Sequence, residues 1–330
     1  MSDLEKLLEG LVLGDRLSLS KCITLVESEA DAHQEDKYKL IEKAEEISNS
    51  RLTFRLAVTG VPGAGKSTLI DRLGMAWIKK GHKVAVLAID PSSSISHGSI
   101  LGDKTRMNDL IKEQNAFVRP SPTRLQLGGV AAHTIETIML CESSGYDRII
   151  IETVGVGQSE TLASQLADAV LLLLVSGTGD ELQGIKKGIL ESADLVFINK
   201  ADGENKESAS VYAQELAGIS SLWPLRRNGQ KAFVSAGSSL GNSGLDSLLE
   251  KIESFFHEVQ ENGTFAQNRN KQKIKWLEAM FRQRLNILIN QKLGIQDLLK
   301  ASENSYLKNN MLISIEVKQM MIQIEALLRN

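Results

Sequence analysis

Leu56-Ala57-Val58-Thr59-Gly60-Val61-Pro62-Gly63-Ala64-Gly65-Lys66-Ser67-Thr68-Leu69-Ile70-Asp71-Arg72-Leu73 is the stretch that decides the fold. Its first four residues form a short apolar run of the kind that becomes a buried strand, and Leu69 to Leu73 continues with helical spacing. Between them Gly60, Gly65, Lys66 and Ser67 satisfy the spacing GxxxxGK[ST]. Glycines there let backbone N–H groups converge on phosphate, the lysine reaches the β and γ oxygens, and the hydroxyl goes to Mg²⁺. A Gly-rich turn between strand and helix can be purely structural. Four constrained positions in a strand–loop–helix context, with a helix N-terminal dipole facing the anion, favour a phosphate cradle over Gly60, Val61, Pro62, Gly63, Ala64, Gly65, Lys66, Ser67 and Thr68.

Asn199-Lys200-Ala201-Asp202 stands at the end of a second apolar run, Leu195-Val196-Phe197-Ile198. Asn and Asp also end strands as ordinary turn residues, so position must decide. In open α/β sheets ligands bind outside the carboxyl ends of the strands, which is where Asn199, Lys200 and Asp202 fall. A carboxylate there can accept both the ring N–H and the exocyclic amine of guanine, whereas adenine offers no such pair of donors. GTP, with GDP as its product, is therefore the expected nucleotide. Ser235, Ala236 and Gly237 follow the last expected strand and are candidates for presenting backbone N–H groups to the guanine oxygen.

Composition sets the outer limits. With 330 residues the chain can hold one large α/β domain with helical extensions, or two modest domains. A net charge of −3 gives no electrostatic footprint for nucleic acid or an anionic membrane. Cys22 and Cys141 stand far apart and outside any CxxC, so they read as reduced core thiols, and five scattered histidines give no zinc spacing. No apolar run is long enough to span a bilayer, and the start Met1-Ser2-Asp3-Leu4-Glu5-Lys6 is unlike a signal or transit peptide. A soluble, cytoplasmic protein is expected.

All five prolines lie between positions 62 and 224, which leaves both ends free to be helical. Residues 3–29 and 34–48 carry apolar positions at three- and four-residue spacing, including Leu4, Leu7, Leu8 and Leu11, then Tyr38, Ile41 and Ala44. They predict an N-terminal helical extension over residues 1–50. From there to 262, apolar runs near 54–59, 83–89, 116–118, 148–152, 169–175, 195–199 and 232–235 alternate with amphipathic stretches. This alternation predicts an α/β fold, a P-loop NTPase with a mostly parallel central sheet and helices on both faces. Residues 263–330 carry no proline and predict helices over roughly 266–292 and 305–328, turning at Gly294. Ile274, Leu277, Phe281, Leu285 and Leu288 share one face, and Met311, Ile315, Ile322 and Leu328 another, which favours a helical dimerisation arm over packing against the chain's own domain.

Mg²⁺ on a nucleotide needs hard oxygen ligands and usually keeps several waters. Ser67, Asp90, Asp103 and Glu152 are the candidates, with Asp90 and Glu152 each at the end of an apolar run. Each acid alone could simply cap a strand; beside a phosphate loop the metal role is favoured for both. Gly155-Val156-Gly157-Gln158-Ser159-Glu160, just past Glu152, is a candidate nucleotide switch. A second polar, glycine-rich stretch, Gly177–Gly188, is either an ordinary loop and helix start or a nucleotide-responsive loop.

Taken together, Gly60–Thr68, Asp90-Pro91-Ser92-Ser93, Gly98–Met107, Arg119-Pro120-Ser121-Pro122, Glu152–Glu160, Gly177–Gly188 and Asn199–Asp202 resemble the MeaB/ArgK GTPases. The resemblance covers about residues 1–260 and extends to the C-terminal arm only in character. It implies a SIMIBI-class homodimer that binds GTP and Mg²⁺, hydrolyses GTP as a slow timer, gates delivery of adenosylcobalamin to methylmalonyl-CoA mutase or a related acyl-CoA mutase, and protects the loaded enzyme. It also implies that Asp90, Asp103 and Glu152 are metal-site acids. Lys66 and Glu152 then serve hydrolysis, and Asp180 and Lys186 form a third switch that couples nucleotide to partner. Two segments depart from the family pattern: Ser94-Ile95-Ser96-His97-Gly98 replaces Pro-Phe-Ser-Gly-Gly, and Thr123-Arg124-Leu125-Gln126 replaces the Ser-Arg-Gly before Leu-Gly-Gly. Both fall where switch loops are expected.

Two other functions compete. A kinase acting on periplasmic amino-acid-binding proteins would need a hydroxyl-accepting site and a base, and no separate kinase constellation is visible. A nickel-insertion GTPase tends to carry His-rich or Cys-containing metal loops, which this chain lacks.

Overall fold

Apolar runs bounded by turn formers fold within strands β1 (Phe54–Gly60), β2 (Val84–Asp90), β3 (Ala116–Pro122), β4 (Arg148–Thr153), β5 (Ala169–Val175) and β6 (Leu195–Asn199), joined by the shorter β7 (Phe233–Ala236). The computed structural model describes residues 2–28, 33–90, 107–122, 129–153, 163–177, 187–295, 297–302 and 313–328. All seven strands run parallel in one sheet of order β3-β2-β4-β1-β5-β6-β7. Strand β1 is central and buried at every position, as a sheet covered on both faces requires.

Among the helices are α1 (Asp3–Val12), α2 (Arg16–Glu27), α3 (Gln34–Asn49), α4 (Lys66–Lys79), α5 (Gly129–Ser143), α6 (Lys187–Ser192), α7 (Lys206–Ser220), α8 (Leu245–Glu261), α9 (Thr264–Leu293) and α10 (Ile313–Leu328). Alternate residues of β1, namely Phe54, Leu56 and Val58, share a core with Leu69, Ile70, Leu73 and Trp77 of α4 and Leu248, Ile252, Phe255 and Phe256 of α8. A second core joins β5 and β6 to Ala209, Ala213 and Leu216 of α7. Helices α2 and α3 pack on α5. Lys37 and Glu136 form a buried ion pair at 3.3 Å across that seam.

Three local expectations need correction. The stretch 3–29 is not continuous: Gly14 adopts φ +77°, and the Asp15 carboxylate accepts the Ser18 N–H at 2.7 Å, starting α2 afresh. Strand β3 extends four residues beyond its apolar run, through Pro120 and Pro122. It is an edge strand paired only with β2, where a residue lacking N–H costs no ladder bond on the open side. Tyr38, expected on the apolar face of α3, is 50% exposed, while Ile41 and Ala44 are buried.

The chain divides into two compact units, Met1–Lys275 and Trp276–Asn330. In the first unit a buried charge network occupies the end of the sheet opposite the phosphate loop. Arg55 of β1 grips Glu142 through Nε at 2.7 Å and Nη2 at 2.8 Å. Arg269, near the start of α9, grips Asp168 at 2.6 and 2.7 Å and reaches Glu142 at 3.2 Å. Gln272 donates to the Ala167 carbonyl at 2.7 Å. The first turns of α9 are thus part of the sheet's foundation. In the second unit Gly294 takes φ +57° just past α9. Leu277, Phe281, Leu285 and Leu288 of α9 are between 41% and 72% exposed, and Ile315, Val317, Met321 and Ile322 of α10 are exposed as well.

Candidate nucleotide site

The loop from β1 to α4 requires its glycines. Gly65 is the α4 N-cap residue at φ +90°, and a Cβ there would stand 2.5 Å from the Asn199 side-chain nitrogen. Gly60, at φ +150°, passes so close to β5 that a Cβ would meet the Leu173 carbonyl at 2.4 Å. Ala64 is fully buried, so the loop is anchored by its apolar middle as well as by its ends. The Lys66 ammonium lies within the loop and donates to the carbonyls of Gly60 at 2.8 Å and Val61 at 3.2 Å. It is held where phosphate oxygens would compete for the same donors.

Beside the loop the Ser67 hydroxyl donates to Glu152 Oε1 at 3.0 Å. Glu152 is 2% exposed and lies in β4 in register with Val58 of β1 and Ala88 of β2. Asp90 ends β2 opposite Pro122, one residue past the Ile89–Thr153 pairing, so Asp90 and Glu152 stand at the carboxyl ends of adjacent strands. A hydroxyl and a carboxylate in contact form a hard-oxygen donor set suited to Mg²⁺, which needs few protein ligands. Among the described residues no three His, Cys, Asp or Glu side chains cluster. Asp103, Asp180 and Lys186 lie outside the described residues, as do Gly155–Glu160 and both departures from the family pattern.

The base end is built from two chain segments that meet side to side. Asn199, 2% exposed, donates to the Ala64 carbonyl at 2.7 Å and so ties β6 to the phosphate loop. Its Oδ1 accepts the Ser239 N–H at 3.0 Å and hydroxyl at 2.8 Å. Lys200 takes φ +60°, which carries the chain round so that the exposed Asp202 accepts a hydrogen bond from the Ser238 hydroxyl. Ala201 donates to the Gly237 carbonyl, and Gly237 donates to Ile198, both at 2.9 Å.

Sequence reasoning places Ser235, Ala236 and Gly237 past the last strand at this end, but Ser235 and Ala236 are the last residues of β7, paired with Phe197 and Ile198, and only Gly237 follows it. In the structure the Gly237 N–H is engaged by Ile198, and a Cβ on Gly237 would meet Phe197 at 2.6 Å, so this glycine serves close packing. Ser238 and Ser239 hold the Asp and Asn of the base motif. The repeated small hydroxyl in Ser235-Ala236-Gly237-Ser238-Ser239 was the signal available for them.

Comparison with known proteins agrees with this geometry. The model of the family described as methylmalonyl Co-A mutase-associated GTPase MeaB matches residues 19–293. A putative GTPase of Caulobacter vibrioides is 46% identical over 283 residues, covering 86% of each chain. The methylmalonic aciduria type A homolog, mitochondrial, of Mus musculus is 43% identical over 283 residues, covering 83% of this chain and 68% of the mouse protein. In structure the chain is similar to a LAO/AO transport system kinase, with TM-score 0.73 and 30% identity over 98% of this chain and 99% of that one.

Proposed function

The chain belongs to the MeaB family of methylmalonyl Co-A mutase-associated GTPases, and on that premise we propose that it is a GTP-timed chaperone of an adenosylcobalamin-dependent acyl-CoA mutase. Hydrolysis of GTP to GDP and phosphate is its chemistry. As a cytoplasmic homodimer it gates delivery of adenosylcobalamin to methylmalonyl-CoA mutase or a related enzyme and protects the loaded form, with slow turnover as the timer. The observation that carries this reading is the family match over 19–293, running through both the phosphate loop and the Asn199–Asp202 base motif.

Catalysis of phosphoryl transfer is mainly positioning and charge stabilisation, and this chain's residues divide those tasks. Lys66 exchanges the Gly60 and Val61 carbonyls for β- and γ-phosphate oxygens, while N–H groups of Gly63–Thr68 hold the phosphates in place. Ser67, Glu152 and Asp90, with Asp103, would hold Mg²⁺, which when bound neutralises charge on the phosphate oxygens. Asp202 takes the two donors of guanine, and Asn199 keeps that reader fixed to the phosphate loop. Asp180 and Lys186 couple nucleotide state to the mutase by pairing differently in the GTP and GDP states, since a switch needs differential contacts. No observation favours the kinase or nickel-insertion reading over this one.

The test is GTPase rate with and without a purified adenosylcobalamin-dependent acyl-CoA mutase. The expected result is acceleration in the wild type, with Asp180→Ala and Lys186→Ala keeping basal hydrolysis within about threefold but losing the acceleration and the gating of cobalamin transfer. An unaccelerated wild type sinks the chaperone reading, and fully accelerated variants remove Asp180 and Lys186 from the coupling.

A further inference from the structure

We infer that Thr153 is a positioning residue for GTP hydrolysis, holding the Glu152 carboxylate in place against Ser67 through a hydroxyl bond to Thr59 on the opposite face of the sheet. The inference rests on the Mg²⁺-site reading above and adds to it a pair of threonines that face away from that site.

Strand β1 runs beside β4 as far as the Val58–Glu152 pair, whereas β1 continues beside β5 to Gly60–Leu173 and β4 continues beside β2 to Ile89–Thr153. The sheet therefore forks between β1 and β4, just where the phosphate loop leaves one strand and the other ends. Successive side chains of a strand point to opposite faces. Glu152 shares the face of Val58, which packs in one core with Leu69 and Ile70 of α4, and meets Ser67 there. Thr59 and Thr153, each one residue on, fall on the other face, where the Thr153 hydroxyl donates to Thr59 Oγ1 at 3.0 Å. Consecutive residues of β4 thus reach across the fork on both sides of the sheet.

A hydroxyl costs free energy to bury, and valine would fill either position with a strand-favouring shape and no polar group. Thr153 is fully buried and Thr59 is 2% exposed, and their bond to each other offsets that cost. It also fixes the backbone that carries Glu152 to the strand that feeds the phosphate loop. Without it, the last hold between β1 and β4 is the Val58–Glu152 rung itself. Phosphoryl transfer depends on placement, so slack at this point acts on turnover and on the demand for Mg²⁺ rather than on the grip of the loop on phosphate.

Single-turnover GTP hydrolysis is to be followed across Mg²⁺ concentrations on the full chain and on Thr153→Val, Thr153→Ser, Thr59→Val, the double valine variant and Glu152→Gln. GDP affinity in EDTA and melting of each nucleotide-free protein accompany it. Thr153→Val is expected to slow hydrolysis about tenfold and to raise the half-saturating Mg²⁺ about fivefold, with GDP affinity in EDTA within about twofold of wild type. Thr153→Ser, which keeps the hydroxyl, should restore both. Thr59→Val should act in the same direction, and the double variant should add little to either single one, because the same bond is lost in each. If Thr153→Val does not fold, Thr59→Val removes that bond from the other strand and carries the comparison. An unchanged Mg²⁺ dependence in Thr153→Val beside a shifted one in Glu152→Gln overturns the role of Thr153 alone. So does a parallel fall of turnover, GDP affinity and melting, or failure of both valine variants to fold, since either marks a staple of the sheet and nothing more. A Glu152→Gln protein with wild-type Mg²⁺ dependence overturns the metal-site reading and this inference together.

Discussion

The hydroxyl of Ser67 and the carboxylate of Glu152, 85 residues apart in sequence, are joined by a hydrogen bond of 3.0 Å. One comes from the first turn of α4 and the other from the end of β4, so the contact exists only because β4 lies beside β1 in the sheet. Two oxygen donors thereby converge at the mouth of the phosphate loop.

The convergence makes turnover sensitive to each partner. Glu152→Ala should lower GTP hydrolysis by at least about 100-fold because it disturbs the Mg²⁺ site, and Lys66→Ala by a similar factor because it removes positive charge held against the β- and γ-phosphates. Phosphate release under saturating GTP and Mg²⁺ measures both. Hydrolysis at the wild-type rate in either variant takes that residue out of the mechanism.

Asp202→Asn should exchange an acceptor for a donor. Affinity for GTP is expected to fall by about two orders of magnitude, while xanthosine triphosphate, which presents a carbonyl where guanine has its amine, should gain. Competition binding with the two nucleotides reads the reversal. An unchanged GTP preference would place base recognition elsewhere.

A truncation separates the two units, provided the cut respects the charge network. Ending the chain after Lys275 keeps Arg269 and Gln272 and should leave a folded, nucleotide-binding monomer, against a dimeric full-length protein in light scattering. Ending it after Gly263 strips Asp168 and Glu142 of their Arg269 partner. Removing one member of a buried ion pair costs about 3–5 kcal/mol, and Arg269→Ala should cost the same order in chemical denaturation. A monomeric full-length chain would count against the arm as the dimer contact, and a fully stable 1–263 fragment against the network.

The same network predicts an acid limb of stability. Burial by itself raises the Glu142 carboxyl, but the adjacent Arg55 and Arg269 guanidinium charges and their hydrogen bonds outweigh it and bring it from 4.5 down to about 2. A carboxyl depressed in the folded state contributes stability that is present above its unfolded value and lost as pH falls through its folded one. The loss therefore runs from about 4.5 down to about 2 and amounts to something on the order of 3 kcal/mol. Denaturation midpoints of the wild type and Glu142→Gln across that range provide the measurement. The variant should start lower and descend less steeply, and parallel descent would assign the acid limb to other groups.

The central machinery was legible because its signals are local. The phosphate loop, its flanking strand and helix, and the Asn199–Asp202 turn each lie within about twenty residues, and each apolar run bounded by turn formers became a strand. What escaped depends on residues distant in sequence or on tertiary setting. Arg55, Glu142, Asp168 and Arg269 look like four scattered surface charges until the sheet brings them into one buried cluster. The prolines of β3 argue against a strand unless it is known to lie at an edge. Ser238 and Ser239 were missed in favour of the adjacent Gly237, because which residue of a turn faces inward is set by the strand β6 it packs against.

The rooting of α9 beneath the sheet has a consequence for how the protein is made. Gly60 leaves the peptidyl-transferase centre 212 residues ahead of Gln272, an interval on the order of 10–40 s at about 5–20 residues per second. Once Ala236 has been added, the phosphate loop and all seven strands have been synthesised, yet the carboxylates of Glu142 and Asp168 still lack Arg269. The base of the sheet is therefore completed only when the first turns of the arm arrive, and a chain ending before Arg269 keeps the Glu142 and Asp168 carboxylates without that partner.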